Sequence, residues 1–304
     1  LKKRQIKRII LSVLGLLVFA FLVLVYSVKF RMSDEEVREK IADDNTNVII
    51  DYHLYEDRSV RNILVNRGND RLFILLHGAP SSSAQWVPLV NDSLLSRQVD
   101  FLMIDRPGYG YSDFGEALTS VQKQAKIVFD ITRKHAKKYN QILMLGTSYG
   151  GTVAARFMMD YPAFLDGGIL MSSSVAPGQE KTYAISYFMD RVPWLFPKLL
   201  MVANDEKLSH KEELEKMEPL WQQIDNPILF IHATADGLVY PGNVSYALKR
   251  LCPDLTVDTT WVKDGEHSLY WSDRKLVFNE LYDFVRQFKI KKETSFASAK
   301  AASE

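Results

Sequence analysis

The stretch QILMLGTSYGGTVAARFMMDYP, Gln141 to Pro162, decides the fold. It opens as an apolar, β-rich run, passes through Gly146-Thr147-Ser148-Tyr149-Gly150-Gly151, and continues as a helical run that stops at Pro162. The pattern G-x-S-x-G between a strand and a helix predicts a turn tight enough to force Ser148 into a strained backbone conformation. Glycines two residues either side let strand and helix approach without Cβ clashes. The serine hydroxyl would then stand above the sheet edge at a helix N-terminus. Alone, a five-residue pattern is common by chance, and a plain strand-to-helix turn with a capping serine would also produce it. The surrounding chain has to decide.

Working outward, apolar runs alternate with helical ones. The β runs are RLFILLHG, VDFLMIDRPG, QILMLG, GGILMSSS, PILFIHATAD and LTVDTTWV. Helical spacing fills AQWVPLVNDSLLSRQ, residues 120–139, 151–161 and 241–251, and a last segment from Asp273 to about Lys289. Continuous apolar strands alternating with helices predict an α/β protein, with a mostly parallel, doubly wound sheet covered on both faces. Two earlier runs, NVIIDYHLY and SVRNILVNRG, are joined by a short turn and predict antiparallel strands at one edge. Residues 175–226 break the alternation. They carry Tyr183, Tyr187, Phe188, Met189, Trp194, Phe196 and Trp221 and end in DEKLSHKEELEKME, which predicts a helical insertion.

The N-terminus differs from the rest. Residues 9–28, IILSVLGLLVFAFLVLVYSV, contain no charge and would span ~30 Å as a helix, about the hydrocarbon thickness of a bilayer. Five basic residues precede them within residues 1–8, and acidic Asp34, Glu35 and Glu36 follow. The positive-inside bias predicts a single transmembrane helix, a cytoplasmic N-terminus and an extracytoplasmic remainder. A cleaved signal peptide fits less well, because its apolar region is shorter and Val25-Tyr26-Ser27 makes a poor cleavage site. The expected organisation is a basic segment (1–8), the membrane span (9–28), a charged stalk (29–46), a core in two parts (47–174 and 227–290), the insertion (175–226) and a disordered tail (291–304).

Composition excludes several classes. A formal charge of +1 gives no basic excess to offset phosphates, so no nucleic-acid partner is expected. The single cysteine, Cys252, excludes an intrachain disulfide and a cysteine-rich zinc site, and residue-type preference predicts that it is packed. No metal-ligand cluster or phosphate-binding glycine loop occurs, so no metal or cofactor is expected. RPGYGYS, Arg106 to Ser112, lacks the glycine spacing and helix start of a dinucleotide-binding turn.

Five ordered features then resemble the α/β-hydrolase superfamily over residues 47–289. They are HGAP (His77 to Pro80) closing an apolar strand, DRPGYGYSD (Asp105 to Asp113), the serine turn, Asp236 after PILFIHATA, and His267 in DGEHSLYW. Nucleophile, acid and histidine occur in the order that family uses. The resemblance implies that residues 175–226 form a lid, with Phe188 and Trp194 as candidate substrate contacts.

Each residue type suits its implied role. A serine hydroxyl is a weak nucleophile unless a base takes its proton during attack. His267 alone among six histidines follows the last strand, and a neutral imidazole can accept that proton. Asp236 would hold the imidazole tautomer and stabilise its cation. The tetrahedral oxyanion needs preorganised N–H donors. The turn supplies one from Tyr149, and the resemblance implies a second from Ala79. His53, His77, His135, His210 and His232 read as strand, loop or helix residues, with His232 a core histidine. Ala233 stands where the family commonly has glycine, and SSSVAPG offers no alternative carboxylate after the preceding strand. Asp254, Asp258 and Asp264 read as loop or strand-end charges, and Asp105 and Arg106 as shaping the oxyanion loop. The expected function is hydrolysis of a carboxylic ester with an apolar portion. Amide, thioester or carbon–carbon hydrolysis and acyl transfer remain open on the same residues, as does a non-catalytic binding module.

Overall fold

The computed structural model describes residues 30–41, 43, 46–179 and 182–288, with scattered helical residues between 4 and 23. The expected membrane span therefore lies largely, and the tail wholly, outside the described residues. Among the described residues no helix is long and apolar enough to cross a membrane.

Eight strands form one sheet: β1 (Asn47–Tyr55), β2 (Arg58–Asn66), β3 (Arg71–Leu76), β4 (Asp100–Ile104), β5 (Gln141–Thr147), β6 (Gly167–Met171), β7 (Ile228–Ala233) and β8 (Val257–Val262). Their order is β1-β2-β4-β3-β5-β6-β7-β8. β1 and β2 pair antiparallel, β2 joins β4 antiparallel, and the remaining pairs are parallel. Every residue of β3, β4, β6 and β7 is buried, which explains their unbroken apolar runs. β1 at the edge alternates between exposed and more buried positions.

Two apolar layers cover the sheet. One holds α2 (Val121–His135) and α3 (Tyr149–Asp160). The Ser120 side chain caps α2 by accepting from Lys123 N, and Arg133 and Lys134 favour the negative end of its dipole. The other layer holds α1 (Asp34–Ile41) and α7 (Arg274–Gln287). A further helix, α6 (Gly242–Leu248), follows β7.

Within the charged segment 29–46, Val37 and Ile41 of α1 are buried in the core. Ser33 and Glu36 cap that helix reciprocally, Ser33 N donating to Glu36 Oε2 at 2.7 Å and Glu36 N to Ser33 Oγ at 3.2 Å. The expected helix after β3 is broken into a turn at Ser83–Trp86, one helical turn at Val87–Val90 and a turn at Leu95–Arg97. Asp92 causes the break, because its Oδ1 accepts from Leu94 N and Leu95 N and competes with the helical pattern. Cys252 is exposed, lying in the loop after α6.

The insertion between β6 and β7 contains α4 (Ala184–Arg191), a turn at Pro193–Leu195, and α5 (Lys198–Met217). α5 buries a stripe at Leu199, Val202, Glu206, His210, Leu214 and Met217. Its three-to-four-residue spacing is that of an amphipathic helix. Two members of that stripe, Glu206 and His210, are polar.

Candidate active site

The turn from β5 to α3 carries Ser148 at φ 51°, ψ −122°, a conformation that favours glycine. Packing holds it there. A Cβ on Gly146 would lie 2.4 Å from Gly150 O, and one on Gly150 would lie 2.4 Å from both Leu76 O and His77 O. Only hydrogen at these positions lets strand, helix and the loop after β3 meet. Ser148 N donates to Met171 O at 3.0 Å, and Ser148 O accepts from Ser174 N at 3.3 Å.

His267, in the loop after β8, brings Nε2 to 3.1 Å from Ser148 Oγ. Its Nδ1 lies 2.8 Å from Asp236 Oδ2, in the loop after β7. A carboxylate can only accept, so Nδ1 carries the proton and Nε2 is free to accept the serine proton. The other carboxylate oxygen of Asp236 accepts from Leu238 N at 2.9 Å and Val239 N at 2.8 Å. Burial alone would raise the Asp236 carboxyl. The His267 hydrogen bond and charge, with the two backbone donors, outweigh burial and hold it below its ordinary value. The structure thus brings together the serine, histidine and aspartate singled out in the sequence, from three separate strand ends. Such an array can deprotonate a hydroxyl as it attacks.

Ala79 and Tyr149 face the same pocket, which has a volume of about 440 Å³ and is lined from below by Ser148 and His267. Tyr149 opens α3, so its N–H has no acceptor within the helix. The loop carrying Ala79 is held from beneath. His77 Nε2 accepts from Arg106 N at 2.9 Å, and its Nδ1 donates to Gly78 O at 2.7 Å. Burial, then the Arg106 charge, keep this ring well below its ordinary pKa and therefore neutral. Arg106 donates from Nε to His77 O at 2.8 Å and from Nη2 to Gly78 O at 3.2 Å. Asp105 ties the neighbouring loops by accepting from Ser83 N at 2.7 Å and Tyr111 N at 3.0 Å.

Sequence reasoning missed what holds Arg106. Glu206, wholly buried on α5, pairs with it at 2.5 and 3.2 Å. The same carboxylate accepts from Tyr109 OH at 2.7 Å and Gln124 Nε2 at 3.0 Å. His210, one turn further along, lies 2.9 Å from Ser174 Oγ and packs its ring 4.8 Å from that of Tyr149. Burial, then the charge of Lys207, push its pKa down to about 3. Both residues sit in a run that reads as a solvated charged face. Their only signal was their place in the apolar stripe of α5.

Phe188 and Trp194 are not among the pocket's lining residues. They lie on the outer side of the insertion, 49% and 80% exposed. From α4 and the chain just before it, Tyr183, Ser186 and Met189 line the pocket instead. The helix phase places Phe188 on the opposite side from Ser186 and Met189. His232 is a core residue, 1% exposed, donating from Nε2 to Val239 O at 3.0 Å. Among the described residues no group of acidic, histidine or cysteine side chains could hold a metal ion.

These features define an α/β-hydrolase-fold protein. The family model of the alpha/beta hydrolase fold matches residues 71–202. Protein phosphatase methylesterase 1 of Candida albicans is 33% identical over 172 residues, a match covering 48% of this chain and 47% of that relative. The chain thus spans about half the length of the curated relative it matches. Among solved structures, the monoacylglycerol lipase of Paleococcus ferrophilus is similar with a TM-score of 0.58 and 17% identity, over 70% of this chain and 93% of that one. A bacterial membrane phospholipase A, described as a virulence factor, is similar with a TM-score of 0.60 and 15% identity, over 95% of this chain and 100% of that one. At such identities these structural likenesses speak to fold.

Proposed function

We propose that this protein is a membrane-tethered serine hydrolase that cleaves carboxylic esters with an apolar portion. The observation that carries the reading is the continuous hydrogen-bonded line from Asp236 through His267 to Ser148, ending on a strained serine at a pocket. Ser148 Oγ attacks the ester carbonyl carbon while His267 Nε2 takes its proton. The carbonyl oxygen, now an oxyanion, is met by the N–H groups of Ala79 and Tyr149. The alcohol leaves with the proton from His267, and the acyl group stays on Ser148. Water then gives a proton to His267 and attacks the acyl carbon, releasing the acid and restoring Ser148.

The apolar requirement rests on Met189, Leu200, Leu238 and Val239 in the pocket lining. The relative named a methylesterase supports ester chemistry. The tether rests on the uncharged stretch 9–28 and its basic flank, with the N-terminus cytoplasmic and the catalytic domain outside. Residues 175–226 serve as the lid.

A fluorophosphonate probe tests the chemistry. It should label the wild type and not Ser148→Ala. Absence of labelling in folded protein would favour a binding module that keeps the fold. A panel of esters, amides and thioesters of graded chain length separates the alternatives. Ester turnover should rise with acyl length by ~0.8 kcal/mol of binding per buried methylene until the pocket is full. Faster amide or thioester turnover, or a carbon–carbon substrate, would replace the ester reading.

A further inference from the structure

The insertion presents an unusual outer surface. Ile185, Tyr187, Phe188, Trp194 and Leu195 are all exposed large side chains within eleven residues. Scattered exposed apolar residues are ordinary, but a contiguous set marks an interaction surface. Beside it runs a groove of about 880 Å³, between Phe30 and Arg31 on one side and Trp194, Phe196 and Leu199 on the other. Tyr111 and Phe114 also line it, and the Arg31 guanidinium lies 4.9 and 4.5 Å from their ring centres.

We infer that this face is a docking surface for a phospholipid bilayer, through which ester substrates reach the catalytic pocket. The inference rests on the proposed membrane tether and deepens it. Its first support is position. Phe30 and Arg31 stand two and three residues beyond the uncharged stretch 9–28, and three residues cover at most ~11 Å. A bilayer crossed by that stretch would hold the groove at headgroup depth. The second is chemistry. Aromatic rings with apolar bodies and polar tips gather at membrane–water interfaces. Arg31 lines the groove with Lys198, whose Nζ also lies 3.9 Å from Glu116 Oε1, and exposed Arg191 closes α4, so cations flank the rings where lipid phosphates would lie. Glu36 also lines the groove, but its carboxylate is engaged by Ser33 N in the α1 cap. The third is connection. α4 turns Ile185, Tyr187 and Phe188 outward, and Ser186 and Met189 into the pocket. One helix diameter, ~10 Å, therefore separates the docking face from the catalytic pocket.

The test uses the full chain reconstituted in vesicles of phosphatidylcholine with phosphatidylglycerol. Tryptophan emission is compared with and without brominated acyl chains, for wild type and Trp194→Phe. The docking surface predicts that shallow bromine labels quench an emission component present only in the wild type. Equal quenching in both proteins would overturn it. The variant Tyr187→Ser/Phe188→Ser/Trp194→Ser should hydrolyse a vesicle-borne long-chain ester ~10-fold more slowly, the equivalent of about 1.4 kcal/mol. Its turnover of a water-soluble short-chain ester should match the wild type. Equal loss on both esters would also overturn the inference. So would abolition, by these substitutions, of cross-linking between two copies, which would assign the face to self-association. Should the triple variant fail to fold, the Trp194→Phe comparison still decides. Alkaline carbonate extraction of the same vesicles reads the tether separately. Release with quenching retained ends the tether and keeps the docking face, and retention without quenching does the reverse.

Discussion

Ser148, His267 and Asp236 should differ in what their removal costs. On the proposed mechanism, loss of Ser148 or His267 removes the nucleophile or its base, and the rate should fall by ~10⁶-fold on the precedent of other serine hydrolases. Asp236→Asn keeps the imidazole but loses its orienting anion, so ~10⁴-fold is expected. Steady-state rates on one ester rank all three. Asp254→Asn and Asp264→Asn, at exposed loop positions, should retain wild-type rates, and a large loss in either would move the acid. The candidate triad was legible because Ser148, Asp236 and His267 each follow a strand run, β5, β7 and β8, in that chain order. His210 was not, since nothing local separates a buried histidine from a solvated one in a charged helix. Its burial has a measurable consequence. The folded ring protonates only near pH 3, as against about 6.5 in an unfolded chain. Between those values the unfolded state binds the extra proton, so stability is full above about pH 6.5 and falls as the solution is acidified. The slope attributable to this ring is at most ~1.4 kcal/mol per pH unit. His210→Gln should flatten the acid limb of a melting-temperature profile by that amount. An unchanged profile would show that the ring is protonated freely.

At the scale of elements, the strands were read well because burial on both faces leaves an unbroken apolar run. Helices were read less well where a side chain competes with the backbone, as Asp92 does after β3. The insertion was legible as an interruption, but not its tie to the site. That tie is the buried pair of Glu206 on α5 with Arg106, which in turn holds the carbonyls of His77 and Gly78 beside Ala79. Removing one partner of a buried pair strands the other, at a cost of ~3–5 kcal/mol. Glu206→Gln should therefore lower the melting temperature. It should also lower kcat by ~10- to 100-fold with little change in KM, less than the loss of an oxyanion donor outright. The variant Arg106→Met/Glu206→Leu separates the two effects. Replacing both charges with apolar groups should recover much of the stability. The rate should stay low, because the His77 carbonyl loses its Arg106 donor and the Gly78 carbonyl keeps only His77 Nδ1. Recovery of both together would reduce the pair to a structural role.

At the scale of the whole molecule, α1 matters most for how the domain meets its surroundings. A free stalk would let the domain swing. Instead Val37 and Ile41 lock α1 into the core, and Arg61 Nη2 pairs with Asp34 at 2.6 Å. The domain is thus attached within a few residues of the uncharged stretch, with its groove on that side. Full-length protein should remain in the membrane pellet through alkaline carbonate washing, and protease added to intact cells should reach the domain. A shortened soluble product, or complete protection, would defeat a single span with the domain outside. The packing of α1 was hidden in the sequence by the charges around Val37 and Ile41, which gave only two apolar positions in eight.

The positive φ of Ser148 also bears on how such a sequence can change over time. Residues with a Cβ pay ~1–3 kcal/mol to sit in this conformation, whereas glycine adopts it freely at a smaller cost in unfolded-state entropy. Ser148→Gly should therefore melt above Ser148→Ala, although both lack the nucleophile. Selection for folding alone would drift this position toward glycine. On the proposed mechanism, selection for reactivity keeps serine there, and a lineage relieved of that demand should gain stability at the residue where it loses chemistry.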